Sequence, residues 1–173
     1  MDYIESDRQR IAGRRLMLFQ FFLRKLLSPT PPPIFIFLVY KAIYKILSTI
    51  RCLEIPNSCK IGYGLYIGHA YCITINPMAK LGNNVNIHRG VLIGQENRGA
   101  RKGYPTIGNN VWIGINASIV GNVTIGDDVL IAPNTYVNCD VPSHSIVFGN
   151  PCIIRYKENA TYGYVQNPVS VHL

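Results

Sequence analysis

Histidine is the side chain best suited to acid–base chemistry near neutral pH, and the chain has four: His69, His88, His144 and His172. His69 stands in Ile67-Gly-His-Ala-Tyr-Cys and His88 in Ile87-His-Arg-Gly-Val-Leu. A positioned imidazole can take the proton from a hydroxyl while that oxygen attacks an electrophilic carbon. No serine or cysteine is paired with either residue in a recognisable pattern, which argues for direct transfer over a covalent enzyme intermediate. The further ligands of a metal centre are also missing beside the His pair, so no metal is expected. His172 lies at the extreme C-terminus, and His144, in the turn after the repeats described next, is expected to be structural.

The elements that must position these residues are legible in a six-residue period. Aliphatic residues recur at Ile55, Ile61, Ile67 and Ile73, then at Leu81, Ile87 and Ile93, then at Ile107, Ile113, Ile119, Ile125, Ile131 and Val137. A small residue often follows, as at Gly62, Gly82, Gly108 and Gly126, and a second apolar set falls four places on, as at Leu65, Val85 and Val111. This is the period of a parallel β-helix, in which three short strands complete a triangular coil and first-position side chains point inward. Stacking coils at ~4.8 Å makes ladders of isoleucines, each contributing roughly 1.5 to 3 kcal/mol on burial. Helix, with its period of about 3.6, is rejected for this region.

His69 takes the third place of its hexapeptide, where the side chain leaves the core. Glu54, fifteen residues earlier and close to one full coil away, is placed to orient it by holding one ring nitrogen. His88 falls one coil later, on the same edge, as the second candidate base, as a residue that orients an acceptor, or as a structural residue. Two interruptions break the period. An eight-residue step from Ile73 to Leu81 predicts a bulge near Asn76 and Pro77. A fourteen-residue step from Ile93 to Ile107 ejects a loop within 95–105 that carries Arg98, Arg101 and Lys102. Insertions on solenoids commonly lie on the working face.

Charge is unevenly distributed. Residues 1–53 hold nine Lys or Arg against three acids, most of the net +8 of the chain. These charges are interleaved with Leu-Phe-Gln-Phe-Phe-Leu and Ile-Phe-Ile-Phe-Leu-Val-Tyr, which points to a membrane-surface element, or to a helical cap packed on its own oligomer, and away from nucleic acid. Arg24, Lys25, Lys41 and Lys45 interrupt both apolar runs, so no spanning helix is expected, and no secretory signal is recognisable. Helices are predicted over 8–27 and 34–50, separated by Pro29 and Pro31 to Pro33. Five cysteines without metal-like spacing read as reduced packing residues of a cytoplasmic protein.

With these residues in view, the stretch from Glu54 to Arg155 resembles the hexapeptide-repeat acyltransferases, and among them the serine acetyltransferase type. Glu54-Ile-Pro-Asn-Ser-Cys-Lys-Ile-Gly is similar to that family's Asp-Ile-His-Pro segment, and Ile67-Gly-His-Ala to its Asp-His-Ala motif. Val141-Pro-Ser-His-Ser-Ile-Val-Phe-Gly-Asn-Pro is similar to its closing Gly-x-Pro motif. The resemblance implies a mainly β fold, a left-handed parallel β-helix behind a short α-helical N-terminal segment, assembled as a homotrimer. It implies an acetyl-CoA-dependent O-acetyltransferase with His69 and Glu54 as the catalytic pair. Small Gly114, Ala117 and Ala132 would let the pantetheine arm lie close, and Arg155 and Lys157 would meet the nucleotide phosphates. The division expected is 1–53 for the basic helical segment, 54–158 for the β-helix with its 95–105 loop, and 159–173 for a tail.

Two departures bear on the acceptor. Where the serine enzymes carry Arg-His-Pro to grip a carboxylate, this chain has Gly103-Tyr104-Pro105, with Arg101 and Lys102 nearby. The large N-terminal domain of those enzymes is reduced to about fifty basic, Phe-rich residues. Both point to a sugar hydroxyl of a capsular, exopolysaccharide or lipid-linked glycan as acceptor, with His88, Arg89, Arg101 and Tyr104 around it, at the inner face of the plasma membrane. Serine O-acetylation in cysteine synthesis is the alternative, and a non-catalytic β-helix scaffold a further one.

Overall fold

Hexapeptides rich in isoleucine fold as strands because β-branched side chains fit a pleated, crowded surface. The computed structural model describes residues 2–11 and 16–170, so that Arg14, Arg15 and His172 lie outside the described residues. In chain order the strands are β1 Lys60–Ile61, β2 Tyr66–Gly68, β3 Thr74–Ile75, β4 Lys80–Leu81, β5 Asn86–His88, β6 Leu92–Gly94 and β7 Thr106–Ile107. There follow β8 Trp112–Ile113, β9 Ser118–Val120, β10 Thr124–Ile125, β11 Val129–Ile131, β12 Tyr136–Val137, β13 Ser145–Phe148 and β14 Ile153–Tyr156. They stack as three flat faces of a triangular coil. Face one is β1-β4-β7-β10, face two is β2-β5-β8-β11-β13-β14, and face three is β3-β6-β9-β12. Neighbours are parallel except the closing pair β13 and β14.

Each face buries one ladder. Face one turns Ile61, Leu81, Ile107 and Ile125 inward, and face two Ile67, Ile87, Ile113, Ile131 and Val147. On face three the ladder is Ile75, Ile93, Ile119 and Val137, with Ile55 below, seated by the bridge from Glu54 to Thr74. The register corrects one expectation. Ile75, not Ile73, stands opposite Ile93, so the eight-residue step runs from Ile67 to Ile75. The two extra residues lie at the corner that carries His69, not at Asn76 and Pro77, which form an ordinary turn into β4.

Stacking dictates the corner residues. Between faces one and two the chain turns through Gly64, Asn84, Asn110, Asp128 and His144, all at positive φ, where Gly, Asn and Asp are tolerated best. The side chains of Asn83, Asn109, Asp127 and Ser143 each accept a backbone N–H, from Tyr63, Asn83, Asn109 and Asp127 respectively, stitching one coil to the next. Gly82 is glycine because a Cβ there would come within 2.6 Å of the Gly108 carbonyl oxygen in the coil above.

The N-terminal helices are α1 Tyr3–Arg10, α2 Leu18–Leu26 and α3 Ile34–Ile50. Helix α3 coincides with its predicted span, whereas the predicted 8–27 stretch holds the end of one helix and the whole of another. Arg24 and Asp7 form a fully buried pair, with Nε and Nη2 each 2.7 Å from a carboxylate oxygen. Asp7 also accepts from the Leu65 N–H, and Arg24 donates to the Gly62 carbonyl, which fastens α1 and α2 to the first coil. Arg10 is buried as well, donating to the carbonyls of Gly64 and Gln166 and to Asn86. Arg10 and Arg24 therefore belong to the interior, and the basic surface inferred from composition is smaller than the count implied. The C-terminal segment is held by Asp128, which accepts from the N–H groups of Ala160 and Thr161, the Thr161 hydroxyl and His144.

Candidate active site

The corner between faces two and three is closed in six residues in most coils but in eight in the first. Gly68 pairs with His88 across β2 and β5, and the next cross-coil bond joins Gly90 N–H to the Tyr71 carbonyl. His69 and Ala70 are thus the inserted pair. His69 takes φ 54°, a left-handed conformation that costs a non-glycine residue energy, and its carbonyl accepts from Tyr71 N–H at 2.7 Å. Ala70 turns inward and is buried, whereas His69 is exposed. Among the described residues neither ring nitrogen of His69 has a hydrogen-bond partner, so the imidazole is available to an incoming hydroxyl.

His88 sits one coil up in a different setting. Its Nδ1 lies 3.0 Å from the Ile113 carbonyl. Since a carbonyl only accepts, Nδ1 carries the proton and Nε2 keeps its lone pair. Burial pushes the His88 pKa down, the Ile113 carbonyl opposes this, and the nearby His69 pushes it down further. The ring packs against Trp112 at 4.8 Å and Tyr66 at 6.2 Å between centroids, and covers Gly68, where a Cβ would meet its Cδ2 at 2.7 Å. Arg10, Tyr66, Asn86, His88, Trp112 and Tyr164 line a cavity of about 200 Å³ on this face. Tyr66, Asn86 and Trp112 share one slot of the repeat, immediately before an inward isoleucine, and could have been grouped from the period. Arg10 and Tyr164 had no such signal, because they arrive from the two chain ends.

The remaining sequence candidates divide between two corners of face three. Glu54, on the lowest rung of that face, accepts from the Thr74 hydroxyl at 3.4 Å and makes no hydrogen bond to His69. Thr74, which sequence reasoning passed over, is thus the group that holds this carboxylate. Arg89 is exposed at the His69 corner, and its carbonyl accepts from Asn116 N–H. Arg101 and Tyr104 lie at the opposite corner, between faces three and one, on a loop closed by antiparallel pairing of Glu96 with Gly103. Gly103, at φ 138°, approaches Asn122 so closely that a Cβ would fall 2.9 Å from the Asn122 Cβ. Within one chain, then, His69 and the 95–105 loop stand at opposite edges of face three.

The small residues assigned to the cosubstrate have other reasons to be small. Ala117 is fully buried inside the coil and is not ligand-facing, which corrects that assignment. A Cβ on the buried Gly114 would lie 2.6 Å from Pro133 N, so stacking of the next coil requires glycine there. Ala132 is half-buried, and Arg155 and Lys157 are exposed. Strand β14, which carries Arg155, lies five strand spacings from β2 along face two, about 24 Å. Among the described residues no three His, Cys, Asp or Glu side chains cluster as metal ligands do.

Comparison with known proteins gives this geometry a context. Residues 104–139 match the family described as bacterial transferase hexapeptide, six repeats. The serine acetyltransferase of Helicobacter pylori is 33% identical over 114 residues, covering 66% of this chain and 67% of the relative. That of Staphylococcus aureus is 36% identical over 123 residues, and the chain spans only 58% of its length. Among solved structures, Neisseria gonorrhoeae serine acetyltransferase in complex with serine matches 88% of this chain and 67% of its own, with TM-score 0.67 and 28% identity. A Brucella abortus serine acetyltransferase covers 92% of this chain with TM-score 0.71 at 24% identity, and shows the fold. The coil is accordingly a left-handed parallel β-helix. The expected sugar acceptor is overturned, because these relatives and structural neighbours are serine acetyltransferases. The basic count of the N-terminal segment misled for a physical reason: Arg10 and Arg24, counted as surface charge, are interior hydrogen-bond donors.

Proposed function

The chain belongs to the hexapeptide-repeat acyltransferases, and from that premise we propose that it transfers acetyl from acetyl-CoA to the hydroxyl of L-serine. The observation that carries this reading is His69, exposed on a two-residue bulge and without a hydrogen-bond partner among the described residues. His69 takes the hydroxyl proton as the oxygen bonds to the thioester carbon. The C–S bond then breaks, and the imidazolium returns that proton to the departing thiolate. His88, kept neutral by burial, adds no positive charge beside His69 that would oppose imidazolium formation.

The two corners of face three meet when copies of the chain pack side by side. A homotrimer would bring Arg101, Lys102 and Tyr104 of one subunit to His69 of the next, with the two cations available to the serine carboxylate. Glu54, paired with Thr74 at the lowest rung of the face, would steady the imidazole once the cleft forms. Acetyl-CoA would lie along the cleft past Ala132, with its phosphates toward Arg155 and Lys157.

Thiol release from acetyl-CoA with L-serine as acceptor tests the reading. We expect serine-dependent release that His69→Ala removes and light scattering at the mass of a trimer. Purified protein that releases no thiol with L-serine would overturn it.

A further inference from the structure

Helix α3 has two apolar sides, and the fold uses one. Phe37, Tyr40, Tyr44 and Leu47 point inward, and the Tyr44 hydroxyl donates to the Ile55 carbonyl. At 100° per residue, Phe35, Leu38, Ile46 and Ile50 fall on the opposite side, 76%, 55%, 60% and 71% exposed. A helix that is apolar nearly all round is one that water does not surround in the working protein. Lys41 and Lys45 lie along one border of the outer stripe, both exposed and without an ion-pair partner among the described residues.

We propose that the outer face of α3 lies in the surface of an anionic lipid bilayer, with its apolar stripe among acyl chains and Lys41 and Lys45 at the headgroups. Charge complementarity selects this occupant. From Arg8 to Leu53 the chain contains no acidic residue. Pairing α3 with its own copy about a two-fold axis would set these lysines near like charges with no carboxylate from that segment to neutralise them. A lipid surface supplies the negative charge, and lysines at the border of an apolar stripe can extend to it while their stems stay in contact with hydrocarbon. The helix is interfacial because its 17 residues reach only about 25 Å, and no helix among the described residues is long and apolar enough to cross a membrane.

The test uses the full chain and sedimentation with vesicles of phosphatidylcholine alone or mixed equally with phosphatidylglycerol. Binding is expected to the mixed vesicles at low salt, to weaken at high salt, and to be negligible on phosphatidylcholine. The double variant Lys41→Gln, Lys45→Gln should bind roughly thirtyfold more weakly. Phe35→Ser with Ile46→Ser, at exposed positions that the fold does not use, should abolish binding. Thiol release with soluble substrates should be unchanged in both, which keeps this result separate from the fate of the enzymatic reading. Failure of the full chain to bind mixed vesicles would overturn the proposal, as would binding that survives Phe35→Ser with Ile46→Ser. A fall in assembly mass for that variant without vesicles would assign the face to contacts between copies and overturn it equally.

Discussion

His69 and His88 stand at the same corner of the coil, one turn apart, and differ in every property that matters to chemistry. His88 follows the six-residue rule, so it lies on the strand, pairs with Gly68, donates a hydrogen bond from Nδ1 to the Ile113 carbonyl and has its pKa lowered by burial. His69 sits where two residues have been added. Its backbone is forced to positive φ, and its exposed ring has no hydrogen-bond partner among the described residues. The imidazole integrated into the repeating lattice has its Nδ1 committed to a carbonyl, whereas the one carried on the interruption is exposed and has no such partner. The repeat supplies rigidity, and in the function proposed above the departure from it supplies the base.

The largest effect that can break this comparison is on turnover. His69→Ala should lower kcat by about a hundredfold to ten-thousandfold, the usual range for loss of a general base, while thermal melting stays at the parent value because the ring is exposed and makes no hydrogen bond among the described residues. Parent-like turnover would move the chemistry to another residue. Deleting His69 and Ala70 together sharpens the point. The corner one coil above closes without them, so the variant should still melt cooperatively with the circular dichroism of a β-helix and lack serine-dependent thiol release. Unfolding on deletion would mean that the bulge is part of the scaffold.

The ladder residues were legible because a solenoid repeats its demands, and Ile61, Leu81, Ile107 and Ile125 are one requirement met four times. The position of the bulge was not, because Ile73 and Ile75 are both β-branched and both buried, and only cross-coil pairing tells which one joins the ladder. Helix α3 announced itself by apolar content, whereas α1 is a polar octapeptide stabilised by tertiary bonds such as Asp7 to Arg24, which no local pattern encodes. The histidines were legible as candidates by residue type. Their settings depend on one nitrogen finding the Ile113 carbonyl and on two residues inserted at one corner, which residue type alone does not reveal.

A smaller effect is expected at Glu54. Its carboxylate is held by Thr74 and not by His69, so Glu54→Gln should reduce kcat by about tenfold or less, well short of His69→Ala. A loss equal to that of His69→Ala would show that the carboxylate reaches the imidazole in the assembled enzyme.

The smallest effect is the pH dependence of stability. Burial lowers the His88 pKa in the folded chain below its unfolded value near about 6.5. Between those values the unfolded chain binds more protons, so this contribution is fully present above the unfolded pKa and is lost as pH falls through the folded one. His88→Gln should flatten that part of the profile, measured as denaturant midpoints across the acid range. Asp128 acts at lower pH. Burial alone would raise its pKa, but hydrogen bonds from Thr161, His144 and Ala160 outweigh this and lower it. Its contribution is present above the unfolded carboxylate value of about 3.9 and is lost as pH falls through the folded one, so hydrogen exchange at Ala160 and Thr161 should accelerate only in that lower window. A midpoint profile that His88→Gln leaves unchanged in the upper window would mean that His88 is protonated as readily in the fold as out of it, and the contrast between the two histidines would then rest on exposure and hydrogen bonding alone.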